Sequence, residues 1–151
     1  MHVSESVEIT STGQRVFEFL QNPEKAMLWQ TSVTSAEVEH ATTDLVGTTG
    51  RETVSDGTGS LEMQTTVTRV DQGRLIRLHV ESRVNTVDVE YRLDSDGQGV
   101  RLTQNAEIRW KFPLSVLMLF MGARTRRAIT DQMRTELGNL KRLCEVASTA
   151  A

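Results

Sequence analysis

Residues 113–146 read PLSVLMLFMGARTRRAITDQMRTELGNLKRLCEV, and this stretch decides the fold. Phe112-Pro113 marks its start, because proline at the first helical position gives up no hydrogen bond and presets φ. From there Met118, Met121, Thr125, Ile129, Met133, Leu137, Leu140 and Cys144 recur at spacings of three and four. That is one continuous face of a helix of about nine turns. Arg124, Arg127, Arg134, Asn139, Lys141, Arg142 and Glu145 lie on the opposite face. A helix this long in a chain of 151 residues must cross most of a domain. Everything before it is strand-like. The simplest architecture is a long helix gripped by a curved antiparallel sheet, with a cavity between the two.

Working back from the helix, Val100, Leu102, Gln104, Ala106 and Ile108 alternate with Arg101, Thr103, Asn105, Glu107 and Arg109, the period of a strand with one face buried. Val87, Val89, Tyr91 and Leu93 share one face of the strand before it, and Asp88, Glu90 and Arg92 the other. Ile76, Leu78 and Val80 alternate in the same way with Arg77, His79 and Glu81, so His79 is expected outside. In the strand from Leu61 to Val70, Leu61, Met63, Thr65 and Val67 are taken as inward-facing. Two further strands are expected at Val33 to Ala41 and Val46 to Ser55. Turns are placed at Asp56-Gly57-Thr58-Gly59, Asp71-Gln72-Gly73 and Asp94-Ser95-Asp96-Gly97, with a bend near Asn85, because Asp-Gly and neighbouring glycines tolerate φ > 0. Val3, Val7 and Ile9 form an opening strand whose buried phase Glu5 interrupts, which suits an edge. Thr10-Ser11-Thr12-Gly13 offers helix caps. Val16, Phe17, Phe19 and Leu20 then give a short helix ending at Asn22, and Pro23 opens a second, running to Trp29 with Met27 and Leu28.

Composition bounds the class. One domain, 1–151, accommodates this length, and 25% charged with 38% hydrophobic residues describes an ordinary globular chain. The longest apolar run, Phe112 to Ala123, is about half of what a membrane span needs. Met1-His2-Val3-Ser4-Glu5 does not read as a leader peptide. A single cysteine fits a reducing compartment, so a cytoplasmic location is expected. Residues 1–106 hold 9 Lys/Arg against 16 Asp/Glu, and residues 107–151 hold 8 against 4. A basic helix packed on an acidic sheet accounts for this asymmetry, and no aromatic residues interleave with the arginines as a nucleic-acid partner requires.

Several local motifs, in their order, carry a resemblance. They are Val7-Glu8-Ile9-Thr10-Ser11, Val16-Phe17-Glu18-Phe19-Leu20, Asn22-Pro23-Glu24, Trp29, Val46-Gly47-Thr48, Thr66-Val67-Thr68-Arg69-Val70-Asp71, and Asp96-Gly97-Gln98-Gly99-Val100-Arg101-Leu102-Thr103. Across essentially its whole length the chain resembles the START-related SRPBCC superfamily, which includes polyketide cyclases and dehydrases and the birch-pollen-allergen type. The resemblance implies an α+β helix-grip fold: a curved seven-stranded antiparallel sheet on a long C-terminal helix, with two short helices after strand 1. It also implies a hydrophobic cavity that binds lipids, sterols, polyketides or aromatic compounds. Fold alone does not fix the activity.

Binding a small hydrophobic ligand, with transport or presentation of it, is therefore the expected function, and an aromatase/cyclase or dehydrase-type enzyme is the alternative. The expected ligand-binding residues are Trp29, Met63, Val67, Leu78, Val89, Tyr91, Leu102, Gln104, Met118, Met121, Thr125, Ile129 and Met133. Among them Tyr91 and Gln104 are the polar groups able to meet a ligand hydroxyl or carbonyl, though a core tyrosine beside a satisfied amide explains them equally. Thr65 and His40 are further polar candidates. No inward Asp or Glu is evident on any strand, so no catalytic residue is assigned. His2, His40, His79 and Cys144 lack metal-ligand spacing, and no phosphate loop or nucleophile elbow is present, so no metal or cofactor is expected. Leu114 to Met121 is apolar around the whole helix, more than one buried stripe needs. It is followed by Arg124, Arg126 and Arg127. Burial, a homodimer contact and a peripheral membrane contact are all compatible with that order.

Overall fold

In this computed structural model the described residues are 1–55 and 59–149, without the side chains of 147–149. Strand β1 (His2–Ile9) leads into helix α1 (Gly13–Gln21), a 3-10 turn (Pro23–Lys25) and helix α2 (Ala26–Trp29). Strands β2 (Val33–His40), β3 (Thr49–Ser55), β4 (Ser60–Asp71), β5 (Leu75–Glu81), β6 (Asn85–Ser95) and β7 (Val100–Trp110) follow, and helix α3 (Leu114–Thr149) ends the order. The sheet runs β1-β7-β6-β5-β4-β3-β2, antiparallel throughout and unclosed, with β1 and β2 at its edges. This is the α+β helix-grip arrangement.

Local chemistry explains the punctuation. The Thr12 hydroxyl accepts from the Arg15 amide at 3.2 Å and caps α1. The Asn22 side chain accepts from the Glu24 amide at 3.1 Å, starting the turn in which Pro23 sits. Gly73 and Gly97 take positive φ in the β4–β5 and β6–β7 turns. The turn expected at Asp56-Gly57-Thr58-Gly59 lies, apart from Gly59, outside the described residues.

Some boundaries shift. β3 begins at Thr49 rather than Val46, because Leu45 and Gly47 both adopt positive φ and break the extended chain. α3 begins at Leu114, with the Pro113 carbonyl accepting from the Val116 and Leu117 amides. In α2 only Ala26 and Trp29 are buried, whereas Met27 and Leu28 face out.

The two ends of α3 behave differently. Its C-terminal half buries Leu137, Leu140 and Cys144 against Ile9, Val16, Phe17 and Leu102. Each such leucine contributes about 1.5–3 kcal/mol by leaving water. Met133 packs with Val3, Ala106 and Ile108. The N-terminal half is largely bare: Leu119 is 80% exposed and Phe120 84%, with nothing among the described residues covering them. The basic helix does meet the acidic sheet edge. Arg134 donates to Glu5 at 2.9 Å, and Lys141 donates to the Glu8 carbonyl at 2.7 Å. Glu5, which interrupts the apolar phase of β1, is thus one of the strand's ties to the helix.

Candidate functional site

Between the inner face of β3–β7 and the middle of α3 lies a cavity of about 680 Å³. Alternation supplies its walls: Leu61, Met63 and Thr65 from β4, Leu78 and Val80 from β5, Val87, Val89 and Tyr91 from β6, and Gln104, Ala106, Ile108 and Trp110 from β7. Ile129, Gln132, Met133 and Glu136 of α3 face them, and Glu52 and Val54 of β3 close one side. A smaller space of about 50 Å³ lies beneath α1 and α2, reached by Phe19, Leu20, Trp29, Val67, Leu78 and Tyr91. Gly50 makes room at its edge, since a Cβ there would come within 2.9 Å of the Glu37 carbonyl oxygen.

Of the residues expected from the sequence, Met63, Leu78, Val89, Tyr91, Gln104, Ile129 and Met133 line the larger cavity, while Trp29 and Val67 line the smaller. Leu102 lines neither and is packed in the core. Met118, Met121 and Thr125 also line neither; they belong to the half of α3 that runs beyond the cavity, where Met121 is 40% exposed. His40 is exposed, so it is not an inward polar group. His79 is on the outer face, its Nδ1 2.7 Å from Asp88, whose other oxygen accepts from Arg109 at 2.8 Å.

The polar end of the cavity differs most from expectation. Tyr91 and Gln104 are cross-strand partners, and the Gln104 Nε2 donates to the Tyr91 hydroxyl at 3.3 Å. Gln104 is only 9% exposed, yet its Oε1 has no hydrogen-bond partner. An inward carboxylate does exist: Glu52 of β3 faces the cavity. The alternation of Gly50, Glu52 and Val54 places it on the inner side, but glycine leaves that phase unreadable from hydrophobicity. Glu136, 6% exposed, is the second carboxylate. It sits on the apolar stripe of α3, three residues after Met133 and four before Leu140, which is the signal that could have found it. Its Oε1 accepts from the Thr31 amide at 3.0 Å, the Thr31 hydroxyl at 3.1 Å and Gln132 Nε2 at 3.0 Å.

Burial, reinforced by the negative charge of Glu136, pushes the Glu52 carboxyl above the usual carboxylate range. Burial, then Glu136 and Glu52 together, push the Tyr91 phenol well above its ordinary value, so it stays protonated. The arrangement is thus a mostly apolar chamber with one acceptor-rich, proton-holding end. No group of three His, Cys, Asp or Glu able to hold a metal ion forms among the described residues.

Residues 1–145 match the family model described as polyketide cyclase / dehydrase and lipid transport. The chain belongs to this family. Its similarity to solved structures covers the whole fold. A Thermus thermophilus protein, 15% identical, superposes with a TM-score of 0.83 over 98% of this chain and 99% of that one. The Zhui aromatase/cyclase from Streptomyces sp. R1128 is 14% identical, with a TM-score of 0.73 over 94% of each chain. A START superfamily protein from Mycobacterium smegmatis is 15% identical, with a TM-score of 0.67 over 90% of this chain and 97% of that one. These relatives establish the START-related fold for this member of the polyketide cyclase / dehydrase and lipid transport family. No curated protein matches the chain.

Proposed function

We propose that the protein binds a small hydrophobic molecule, a lipid or polyketide-like compound, and carries or presents it. The supporting observation is the cavity of about 680 Å³, a size and an apolar lining typical of small-molecule sites. Met63, Leu78, Val89, Ile129 and Met133 would hold the ligand body, with Tyr91 and Gln104 meeting a polar group. Among the described residues no helix is long and apolar enough to cross a membrane. With a single cysteine the chain forms no internal disulfide, which suits work in the cytoplasm. Native mass spectrometry of gently purified protein, followed by organic extraction, tests the proposal. A stoichiometric hydrophobic adduct is expected; protein that carries nothing and binds no fatty acid, sterol or aromatic polyketide from a panel would overturn it.

Glu52 and Glu136 favour a second reading, an aromatase/cyclase or dehydrase-type enzyme. A protonated Glu52 could hand its proton to a ligand carbonyl oxygen while the Glu136 carboxylate takes one from the adjacent carbon, giving an enol poised for ring closure. Turnover of a poly-β-ketone substrate that disappears in Glu52→Gln would establish it.

A further inference from the structure

Two acidic side chains stand in this cavity without a cation opposite them. Glu52 enters no salt bridge or hydrogen bond among the described residues, and its surroundings act on it only through burial and the charge of Glu136. Glu136 is fixed by three donors, all on Oε1, so Oε2 receives none of them. Beside them is the independent orphan: Oε1 of Gln104, more than nine-tenths buried, on the same cavity wall and without a partner. A buried acceptor left unmatched is costly, and native interiors match such groups with protein, water or ligand. The three groups lie close together in effect. Both carboxylates act on Tyr91, and the Tyr91 hydroxyl is the atom that Gln104 bonds.

Gln104 Oε1 and the open Glu136 oxygen are acceptors, and Glu52 becomes one on giving its proton to the ligand amine. A neutral hydrocarbon would leave them unsatisfied and a carboxylate ligand would be repelled, whereas a primary ammonium brings three N–H donors and the opposite charge. We propose that the cavity selects hydrophobic molecules carrying a primary amine, its ammonium held by Glu52, Glu136 and Gln104. The inference rests on the cavity being a ligand site, as proposed above. Burying a cation is unfavourable unless it is both paired and hydrogen-bonded, and this end of the chamber supplies both conditions. At the opposite end Trp110, six positions further along β7, presents an indole N–H that also has no partner. That is roughly 20 Å away at strand rise. Trp29, edge-on to Tyr91, holds a further unpartnered indole N–H, and Arg83 also lines the cavity. The amine enters with its ammonium at the two carboxyl groups and its apolar body directed towards Trp110.

Three fluorescent probes of one shape separate the possibilities: 9-(aminomethyl)anthracene, 9-anthracenemethanol and 9-anthracenecarboxylate, titrated into the intact chain at pH 7. The amine is expected to bind at least about tenfold tighter than the alcohol, and the carboxylate weakest, as charge-assisted hydrogen bonds in a low-dielectric site require. Glu52→Gln, which loses no partner of its own and should fold normally by circular dichroism, is expected to cut the amine's advantage over the alcohol to within about threefold. Equal binding of all three probes would overturn the amine inference and leave the hydrophobic-ligand reading standing. A preference that survives Glu52→Gln and Glu136→Gln alike would also overturn it. If no probe binds, the amine inference falls, while the hydrophobic-ligand reading stands or falls with the fatty-acid, sterol and polyketide panel above.

Discussion

Trp29 meets Tyr91 edge to face, with ring centroids 6.1 Å apart and planes inclined at 80°. The contact ties α2 to the middle of the sheet, and Asn139 of α3 secures the same residue by donating to the Trp29 carbonyl at 3.1 Å. One residue thus joins three layers, through its ring to the sheet and through its backbone carbonyl to α3. Trp29→Ala should lose about 3–5 kcal/mol of stability in urea denaturation, by cavity formation. Trp29→Phe, keeping a ring in place, should lose roughly half as much. A loss below about 1 kcal/mol in the alanine variant would show that Trp29 does not clamp the layers.

Glu136 pins the Thr31 backbone to α3. Glu136→Ala removes the acceptor of that half-buried amide and should cost about 1 kcal/mol. Glu136→Gln keeps an acceptor oxygen and should cost less. Hydrogen exchange at the Thr31 amide gives the local readout, expected to speed up in the alanine variant and to stay near wild type in the glutamine one.

The pH dependence of stability has a definite sign at Glu52. Its folded pKa lies above the unfolded value of 4.5, first through burial and then through Glu136. The native state therefore holds the proton more tightly. Stability contributed by that proton is present at low pH and falls as pH rises through the window above 4.5. Glu52→Gln removes the effect, so urea midpoints of wild type and variant should diverge as pH climbs from 4 to 8, with the variant increasingly the more stable. Asp88, lowered by its bonds to His79 and then Arg109, works the opposite way and loses its contribution on acidification. A divergence that grows towards low pH instead would refute the assignment at Glu52.

The two halves of α3 should respond unequally to substitution. Leu140 is fully buried, and Leu140→Ala should cost about 2–5 kcal/mol. Phe120→Ser, on the bare half, should leave the unfolding free energy within about 0.5 kcal/mol of wild type. Thermal denaturation of the two variants side by side makes the comparison.

Burial pushes the Cys144 thiol up to about 11. Thiolate is the reactive form, so labelling by an aromatic disulfide reagent at pH 8 should be slow in the native protein and fast in urea. Prompt labelling under native conditions would show that the C-terminal end of α3 opens readily.

Much of this fold is legible in the chain because its signals are periodic. The three-and-four spacing from Ile129 to Cys144 and the strict alternation in β5, β6 and β7 each define a buried face without help from tertiary context. Tyr91 and Gln104 could be placed inside by the same alternation. Glu52 could not, because its strand offers Gly50 and a single valine as phase markers, so burial there is set by neighbours rather than by pattern. Leu102 shows the complementary limit: facing inward predicts burial but not whether a residue meets a cavity or a packed core. Met118, Met121 and Thr125 follow the helical stripe correctly, yet the helix outruns the chamber before it reaches them. Periodicity reports direction; it carries no information on where the facing sheet stops.

The pairing of β1 with β7 joins residues that are 91 to 105 positions apart, from Ile9 with Val100 to His2 with Glu107. Every other ladder of the sheet links strands adjacent in the chain. On a ribosome adding roughly 5–20 residues per second, β1 would therefore wait on the order of ten seconds for its partner strand. An unpaired strand is a template for wrong pairing during that interval, and charged side chains are the usual protection. Glu5 and Glu8, which later meet Arg134 and Arg101, would serve as that protection first: the same two carboxylates that fasten the finished edge keep it from fastening to anything else beforehand.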